Sequence, residues 1–538
     1  MALLAPLLES LLILGLAVLA LLSLHLLTLT TLRWLLPERP RSMRLPAEEA
    51  LPTVLVQLPL YNEGELVERA LASIAALDWP RERLVIQVLD DSTDGSLAAS
   101  RRAVAGLRLR GWRVSLHHRT LRSGFKAGAL AAGLEVCDAP FVAIFDADFM
   151  PAPDFLRRTV GVLLADSNLG HVQARWLHAN RDASMLTRAQ ARLLDGHFRV
   201  EQAVRHRLGL PVPFNGTCGV WRRAAIEGAG GWSGDTLTED LDLSLRARLV
   251  GWSSAYLEDL GVPGELPVSA RAWRAQQFRW TKGFVQCLRK LAPQIGASRL
   301  PLWQKILISL QLAQPLSFLA GTLCLLTALP FIAGKLVPGT ALTVMALATT
   351  SIGLLGPLGM LFTGGFVGGS EQRPPVKVLM RDAAAALLLT SGLLLSNARA
   401  SLEALVGIRS PFVRTPKGVG GGRGERRWRL LLAGLPELSA GYALLLFVLV
   451  ESPLALPALA LAISGLLGLG SLLRRDAAFA RLGATAAVIG AVAPALEPAP
   501  VILSLPPHSG GRPAQTEELA SWAPGEAARV GLRSDSGV

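Results

Sequence analysis

Val54-Leu55-Val56-Gln57-Leu58-Pro59-Leu60, followed at once by Tyr61-Asn62-Glu63, is a short apolar run without alternation that ends in polar side chains. Such a run reads as a strand buried on both faces. Leu84 to Leu89 and Phe141 to Phe145 repeat the pattern, and helical stretches at Glu65 to Leu77 and Lys126 to Val136 lie between them. Strands that alternate with helices predict an α/β layer fold with parallel pairing. No G-x-G-x-x-G follows the first strand, which removes the main support for a dinucleotide-binding unit.

The residues after each strand carry more information than the strands. The first run ends in Tyr61-Asn62-Glu63, the second in Asp90-Asp91-Ser92-Thr93-Asp94, and the third in Asp146-Ala147-Asp148. Ligands of open parallel sheets bind outside the carboxyl ends of the strands, so the three clusters are expected to meet in one crevice. Any single acid after a strand is equally a turn or cap residue. Three clusters at corresponding ends weaken that reading.

Outward from this domain the chain turns apolar. It has 538 residues, 51% hydrophobic and 18% charged, with a net charge of +13. Apolar runs occupy residues 11 to 32, 306 to 334, 340 to 367, 430 to 450, 453 to 473 and 483 to 504, each close to the roughly 20 residues that a helix needs to cross a bilayer. The polar stretch between the first two runs, about 250 residues long, is enough for one folded domain. The first run has Glu9 and no Lys or Arg on its N-terminal side, and Arg33, Arg39, Arg41 and Arg44 follow it. It therefore reads as an anchor with the large domain on the cytoplasmic side of the cell membrane. A stretch of eight basic residues from Arg399 to Arg429 also belongs on that side, so residues 383 to 403 read as an amphipathic helix on the membrane face rather than a span. The basic balance matches anionic lipid, and no zinc-finger spacing or aromatic-interleaved basic patch points to nucleic acid. His117-His118 looks like a metal pair, but neighbours on a strand face opposite ways.

The polar clusters suit an activated sugar. A nucleotide diphosphate gains negative charge as its glycosidic bond breaks, so a hard divalent cation held by carboxylates is a natural stabiliser. Asp146 and Asp148, two apart on an extended segment, share a side. Asp90 and Asp91 sit where a nucleoside would lie, and Lys126 offers a point charge to the diphosphate, or is only a helix-start lysine. Asp240, in Thr238-Glu239-Asp240-Leu241-Asp242, is the candidate general base for a sugar hydroxyl, with a helix-cap acid as its competitor. In Gln276-Gln277-Phe278-Arg279-Trp280, Arg279 offers a planar fork to the diphosphate and Trp280 a flat face to an acceptor sugar.

Together, Tyr61-Asn62-Glu63, Asp90-Asp91-Ser92, Lys126-Ala127-Gly128, Asp146-Ala147-Asp148, Thr238-Glu239-Asp240 and Gln276 through Trp280 resemble the membrane-embedded family 2 glycosyltransferases of the cellulose synthase superfamily. The resemblance runs from about residue 50 to 420. Ile86 through Asp94, Val172 through Trp176, Phe214 through Arg222 and Phe412 through Lys417 look closest to the cellulose synthase-like A branch, the glucomannan β-1,4-mannosyltransferases. The resemblance implies a GT-A, Rossmann-like domain at residues 46–300, set between an anchor at 1–45 and transmembrane helices at 301–505, with a disordered tail at 506–538. It implies an inverting, Mg²⁺- or Mn²⁺-dependent transfer from GDP-mannose or UDP-glucose, with the polymer extruded through the enzyme's own helices.

By motif, Asp240 carries over as the base, and Asp148 and Asp146 as metal and diphosphate contacts. Asp90 and Asp91 carry over as nucleotide contacts, with Tyr61, Glu63 and Lys126 on the donor side. Gln276, Arg279 and Trp280 carry over as acceptor and diphosphate contacts, with Glu239 beside them. Phe412, Arg414, Thr415 and Lys417 resemble a gating loop that covers the donor site. Two positions depart from the pattern. Phe149 stands where cellulose synthases typically have His, and Arg414 replaces the gating-loop Val. The C-terminal tail is also too short for an appended cyclic-di-GMP domain, so no such regulation is expected in cis. A processive β-glycan synthase is the leading expectation, with Gln311, Gln314 and Ser317 as candidate linings of a sugar path. A non-processive glycolipid synthase with a ceramide or diacylglycerol acceptor is the alternative.

Overall fold

In a computed structural model, residues 5–38, 42–333, 340–367, 373–410, 434–451 and 459–476 are described. The expected apolar runs are strands β1 (Val54–Leu60), β2 (Leu84–Asp90) and β4 (Phe141–Ile144). They are parallel, with β1 between the other two. β3 (Val114–His118), β5 (Leu169–His178), β6 (Gly219–Arg222) and β7 (Ser253–Gly264) complete a sheet of order β3-β2-β1-β4-β6-β5-β7. The sheet is mixed rather than wholly parallel: β6 runs antiparallel to both β4 and β5.

Both faces are covered, which explains the lack of alternation in β1. Val54, Val56, Leu58 and Leu60 pack with the helices Gly64–Ala75, Ser96–Leu109 and Phe155–Ala165. Leu55 faces the other side, with the helices Phe125–Glu135 and Glu239–Leu249. Gln57 lies on that second face, fully buried, and its amide donates to Gln87 Oε1 and to the Leu130 carbonyl, each at 3.1 Å. A buried amide is tolerable only when it is paired in this way.

Outside the sheet the chain is helical. Ala5–Leu35 is, among the described residues, the one single helix long and apolar enough to cross a membrane; counting each bent pair as one span raises the number to three. The run at 306–334 is not one helix but two, Leu302–Ala313 and Leu316–Ile332, bent by 62°. Pro315 sits at the break, where its ring removes a backbone donor. The segment read from charge as one amphipathic helix is likewise a pair, Val376–Gly392 and Leu394–Leu405, bent by 53°. Helix Thr340–Phe366 packs on Ala5–Leu35. Gly356 permits the approach: a Cβ there would lie 2.3 Å from the Ser23 carbonyl. Small residues at such crossings let helix backbones meet. The gating-like residues Phe412, Arg414, Thr415 and Lys417, the run 483–504 and the tail lie outside the described residues.

Helix Met185–Gly196 continues through a π-helical segment, His197–Gln202, into Ala203–Leu208. Insertions of this kind occur frequently at functional sites.

Candidate active site

The three strand ends do converge. Tyr61 and Glu63 after β1, Asp91 after β2, and Asp146 and Asp148 after β4 line a single cleft. Lys126, from the first turn of Phe125–Glu135, enters from one side, and Glu239 and Asp240, from the first turn of Glu239–Leu249, from another. Gln276, Arg279 and Trp280 close it from helix Ala270–Ala297. Positions three and four apart share one helix face, so the Q-x-x-R-W spacing delivers all three side chains together.

Asp90 is not brought there. It is fully buried, away from the cleft lining, and its Oδ1 accepts from the Ser92 backbone N–H at 2.8 Å. The preceding acid thus shapes the turn, and Asp91 alone of the pair faces the cleft. Asp91 is itself held by Arg119, whose Nε and Nη2 donate to its two oxygens at 2.8 and 2.6 Å. His117 and His118 find separate partners, Ser115 Oγ and the Asp90 carbonyl, each at 2.8 Å.

Among the described residues, three other than glycine have a positive φ: Asn62 at 56°, Phe125 at 50° and Cys218 at 60°. Asn62 adjoins Tyr61 and Glu63, Phe125 adjoins Lys126, and Cys218 adjoins Thr217, whose Oγ1 accepts from the Asp146 N–H at 2.9 Å. Such backbone costs of order 1–3 kcal/mol each and persists where the surroundings over-determine it. Asn62 is secured on both sides, its N–H donating to Ser92 Oγ at 2.8 Å and its Oδ1 accepting from Thr93 N–H at 2.9 Å.

The electrostatics centre on Lys126. Its Nζ donates to Asp146 Oδ1 at 2.5 Å and to the Gly216 carbonyl at 2.9 Å. Burial pulls its pKa down, but Asp146, Glu239 and Asp240 outweigh burial and hold it above the ordinary value. Lys126 thus lines the cleft and is bonded to Asp146 and Gly216, unlike a solvated helix-start lysine. Asp240 moves the other way. Burial, then the neighbouring Glu239 charge, raises its pKa to about 7, against the Leu241 backbone N–H, Lys126 and Arg279, which lower it. It is not the helix cap, which is Thr238. Asp242, in the same run, is fully buried and paired with Arg246 and Lys290, each at 2.8 Å. Asp148 is 2% exposed, and its Oδ2 accepts from the Glu265 N–H at 3.2 Å.

Asp240 also borders a second cavity, on whose walls are Trp273, Trp280, Phe198 and Phe284 together with Asn215 and Gln276. The base candidate therefore stands between a carboxylate-lined cleft and an aromatic one. Aromatic faces are the surfaces on which sugar rings can lie. Motif reading missed Arg122, whose guanidinium sits 3.3 Å from the Tyr61 ring centroid in the cleft wall, and the side chain of Asn215, which lines both cavities. Arg122 stands four residues before Lys126 on the loop that opens a helix, a position without a distinctive pattern of its own.

Residues 52–283 match the family described as Glycosyltransferase like family 2. The chain is 44% identical over 262 residues to glucomannan 4-beta-mannosyltransferase 1 of Oryza sativa subsp. japonica, a match covering 48% of this chain and 50% of that protein. It is 45% identical over 259 residues to glucomannan 4-beta-mannosyltransferase 7 of Arabidopsis thaliana, covering 47% of each. The chain thus spans about half the length of the curated relatives it matches. Among solved structures, a mannosyltransferase of Pyrobaculum calidifontis in complex with GDP-Man and Mn²⁺ superposes with a TM-score of 0.53 at 22% identity, over 75% of this chain and 100% of that one. At that identity the likeness concerns the fold.

Proposed function

We propose, from the premise that this chain carries a cellulose synthase-like family 2 glycosyltransferase domain over residues 52–283, that it polymerises a β-glycan from a nucleotide sugar at a membrane. The observation that carries this reading is the position of Asp240, between the carboxylate-lined cleft and the aromatic one. The donor would occupy the first with its nucleoside toward Asp91, Tyr61 and Arg122, and its diphosphate toward Lys126 and Arg279. The acceptor sugar would lie in the second against Trp280. GDP-mannose is favoured over UDP-glucose by the mannosyltransferase relatives.

Asp146 and Asp148 fit a hard divalent cation that completes its shell with phosphate oxygens, the usual arrangement for Mg²⁺ with one or two carboxylates. Among the described residues no group of three or more His, Cys, Asp or Glu stands ready to hold a metal, and Phe149 follows Asp148. Bound there, Mg²⁺ or Mn²⁺ would offset the charge that grows on the leaving diphosphate. The Asp240 carboxylate takes the proton of the acceptor hydroxyl as that oxygen attacks the anomeric carbon, and the nucleoside diphosphate departs from the opposite face, inverting the centre. A base with a pKa near 7 is well matched to this work. Arg279 and Lys126 hold the departing anion.

Ala5–Leu35 and the bent pairs would be the membrane-embedded parts. The domain at 46–300 would face the cytoplasm, where nucleotide sugars are made, in the cell's inner membrane. The test is purified full-length protein in lipid with radiolabelled GDP-mannose, UDP-glucose and Mg²⁺ or Mn²⁺, followed by sizing of the product. Long β-linked chains are expected; a single sugar on lipid would replace polymerisation with the glycolipid reading.

Gly216 gives a sharper local prediction. Its φ is +79°, and a Cβ there would stand 3.0 Å from Asp240 Oδ2. Gly216→Ala should strain the loop and push the base by a few tenths of an ångström, lowering kcat by about tenfold, less than the roughly 10²-fold that a misplacement of 1 Å can cost. Donor affinity measured by calorimetry should change much less.

A further inference from the structure

A chain of three amides, one imidazole and one carboxylate runs from the wall of the two cavities to helix Leu302–Ala313, and its bonds fix which way the amides and the imidazole are turned. Gln202 Nε2 donates to the Pro213 carbonyl at 3.0 Å, and a backbone carbonyl can only accept. That places the other N–H of the Gln202 amide on Asn215 Oδ1, 2.6 Å away. The Asn215 Nδ2 edge is then turned to His197 Nε2, at 3.1 Å. Because Nδ2 can only donate, His197 Nε2 must present its lone pair, and the ring proton resides on Nδ1. Nδ1 faces Glu201 Oε2 at 2.9 Å, and Glu201 Oε1 accepts from Gln311 Nε2 at 2.7 Å. His197, Glu201 and Gln202 all belong to the π-helical segment.

One N–H of the Asn215 amide is used on His197, and because Asn215 lines both cavities the second is a donor it can offer to a ligand there. Asn215 directly precedes Gly216, whose carbonyl accepts from Lys126 Nζ at 2.9 Å and where an added Cβ would stand 3.0 Å from Asp240 Oδ2. We propose that His197 and Glu201 are positioning residues for the transfer reaction: acting through Asn215, they hold an amide N–H where it registers the acceptor sugar against Asp240. This rests on the reading of Asp240 as the base and of the aromatic cavity as the acceptor site. A side chain that binds the acceptor in the correct register favours sugar over water as the nucleophile. Its loss therefore shows in the partition of the donor between transfer and hydrolysis.

The experiment uses the full-length protein in lipid with radiolabelled GDP-mannose, or with UDP-glucose if that is the donor used, and measures sugar transferred against sugar released to water. His197→Phe removes both hydrogen bonds and should lower the transfer-to-hydrolysis ratio about tenfold, as expected for a lost hydrogen bond in a buried network. The donor KM should stay within about twofold of the wild type, because the donor contacts are untouched. His197→Gln supplies an N–H for Glu201 and a carbonyl for Asn215, and should restore most of the ratio. Asn215→Ala leaves the His197–Glu201 pair in place and should match His197→Phe, with the double variant no worse than either single one. If His197→Phe does not fold, Asn215→Ala and His197→Gln carry the test. An unchanged ratio in His197→Phe or in Asn215→Ala, or equal losses in His197→Phe and His197→Gln, would overturn the proposal while leaving the transferase reading intact. A wild type that transfers no sugar from either donor would overturn both.

Discussion

Asp240→Asn is expected to lower the rate of sugar transfer by about 10²–10⁴-fold, the usual contribution of a positioned general base, while donor binding measured by calorimetry persists. The substitution is nearly isosteric but leaves no group able to take the acceptor proton. Retained turnover would assign the proton to another residue. The wild type has a companion signature. Asp240 must be ionised to act, and burial with Glu239 beside it raises its pKa to about 7. The kcat/KM profile of the free enzyme should therefore fall on the acid side with a midpoint near neutrality, and a limb near the ordinary carboxylate range would contradict the assignment.

The same shift has a consequence for stability. In the unfolded chain Asp240 titrates near the ordinary value for aspartate, about 3.9, and in the folded protein it is raised to about 7. Between those values the folded state binds the extra proton, so this group's contribution to stability falls as pH rises through that window. Asparagine removes the penalty. The Asp240→Asn protein should melt at a temperature equal to or above that of the wild type at pH 8, a relation readable from thermal scans at pH 5 and pH 8. Loss of activity joined to unchanged or higher stability is the mark of a group kept for chemistry at the expense of folding.

Lys126→Met should rank next, with about a 10²-fold loss of transfer, as expected when a charge that meets a developing anion is removed from a partly desolvated site. Lys126 lies 2.5 Å from Asp146 and is among the groups that hold the Asp240 pKa down. Its removal leaves the carboxylates of Asp146, Glu239 and Asp240 without their shared cation. The pKa of Asp240 must then rise further, so the acid limb should move to higher pH than in the wild type. A variant with lower activity but an unmoved limb would show that Lys126 serves the diphosphate alone. A variant with full activity would return it to the role of a helix-start lysine.

Legibility from sequence followed the range of the forces involved. β1, β2 and β4 lie where the apolar runs place them, because strands covered on both faces are apolar at nearly every position, with Gln57 and Gln87 bonded to each other as the exceptions. β6 has only four residues, and β7 carries Glu258, Asp259 and Pro263, so neither offers a periodic signal. Their pairing, antiparallel at β6, is a long-range choice. Asp90 and Asp91 are indistinguishable as letters. The pleat turns successive side chains to opposite faces, and only the sheet decides that Asp91 looks into the cleft. The 62° bend at Pro315 was written in the sequence but hidden inside an apolar run that hydropathy treats as continuous.

The sequence alone determined which chemistry is on offer: acids after buried strands, a lysine at a helix start, and Gln276, Arg279 and Trp280 on one helix face. Each depends only on neighbours a few positions away, where backbone periodicity rules. Tertiary structure decided which of these groups meet, that Asn215 and Arg122 join them, and that the pKa of Asp240 is raised to about 7. Desolvation and charge act through space, and Lys126, Gly216, Glu239 and Arg279 come from separate stretches of chain that only the folded sheet and its helices bring together.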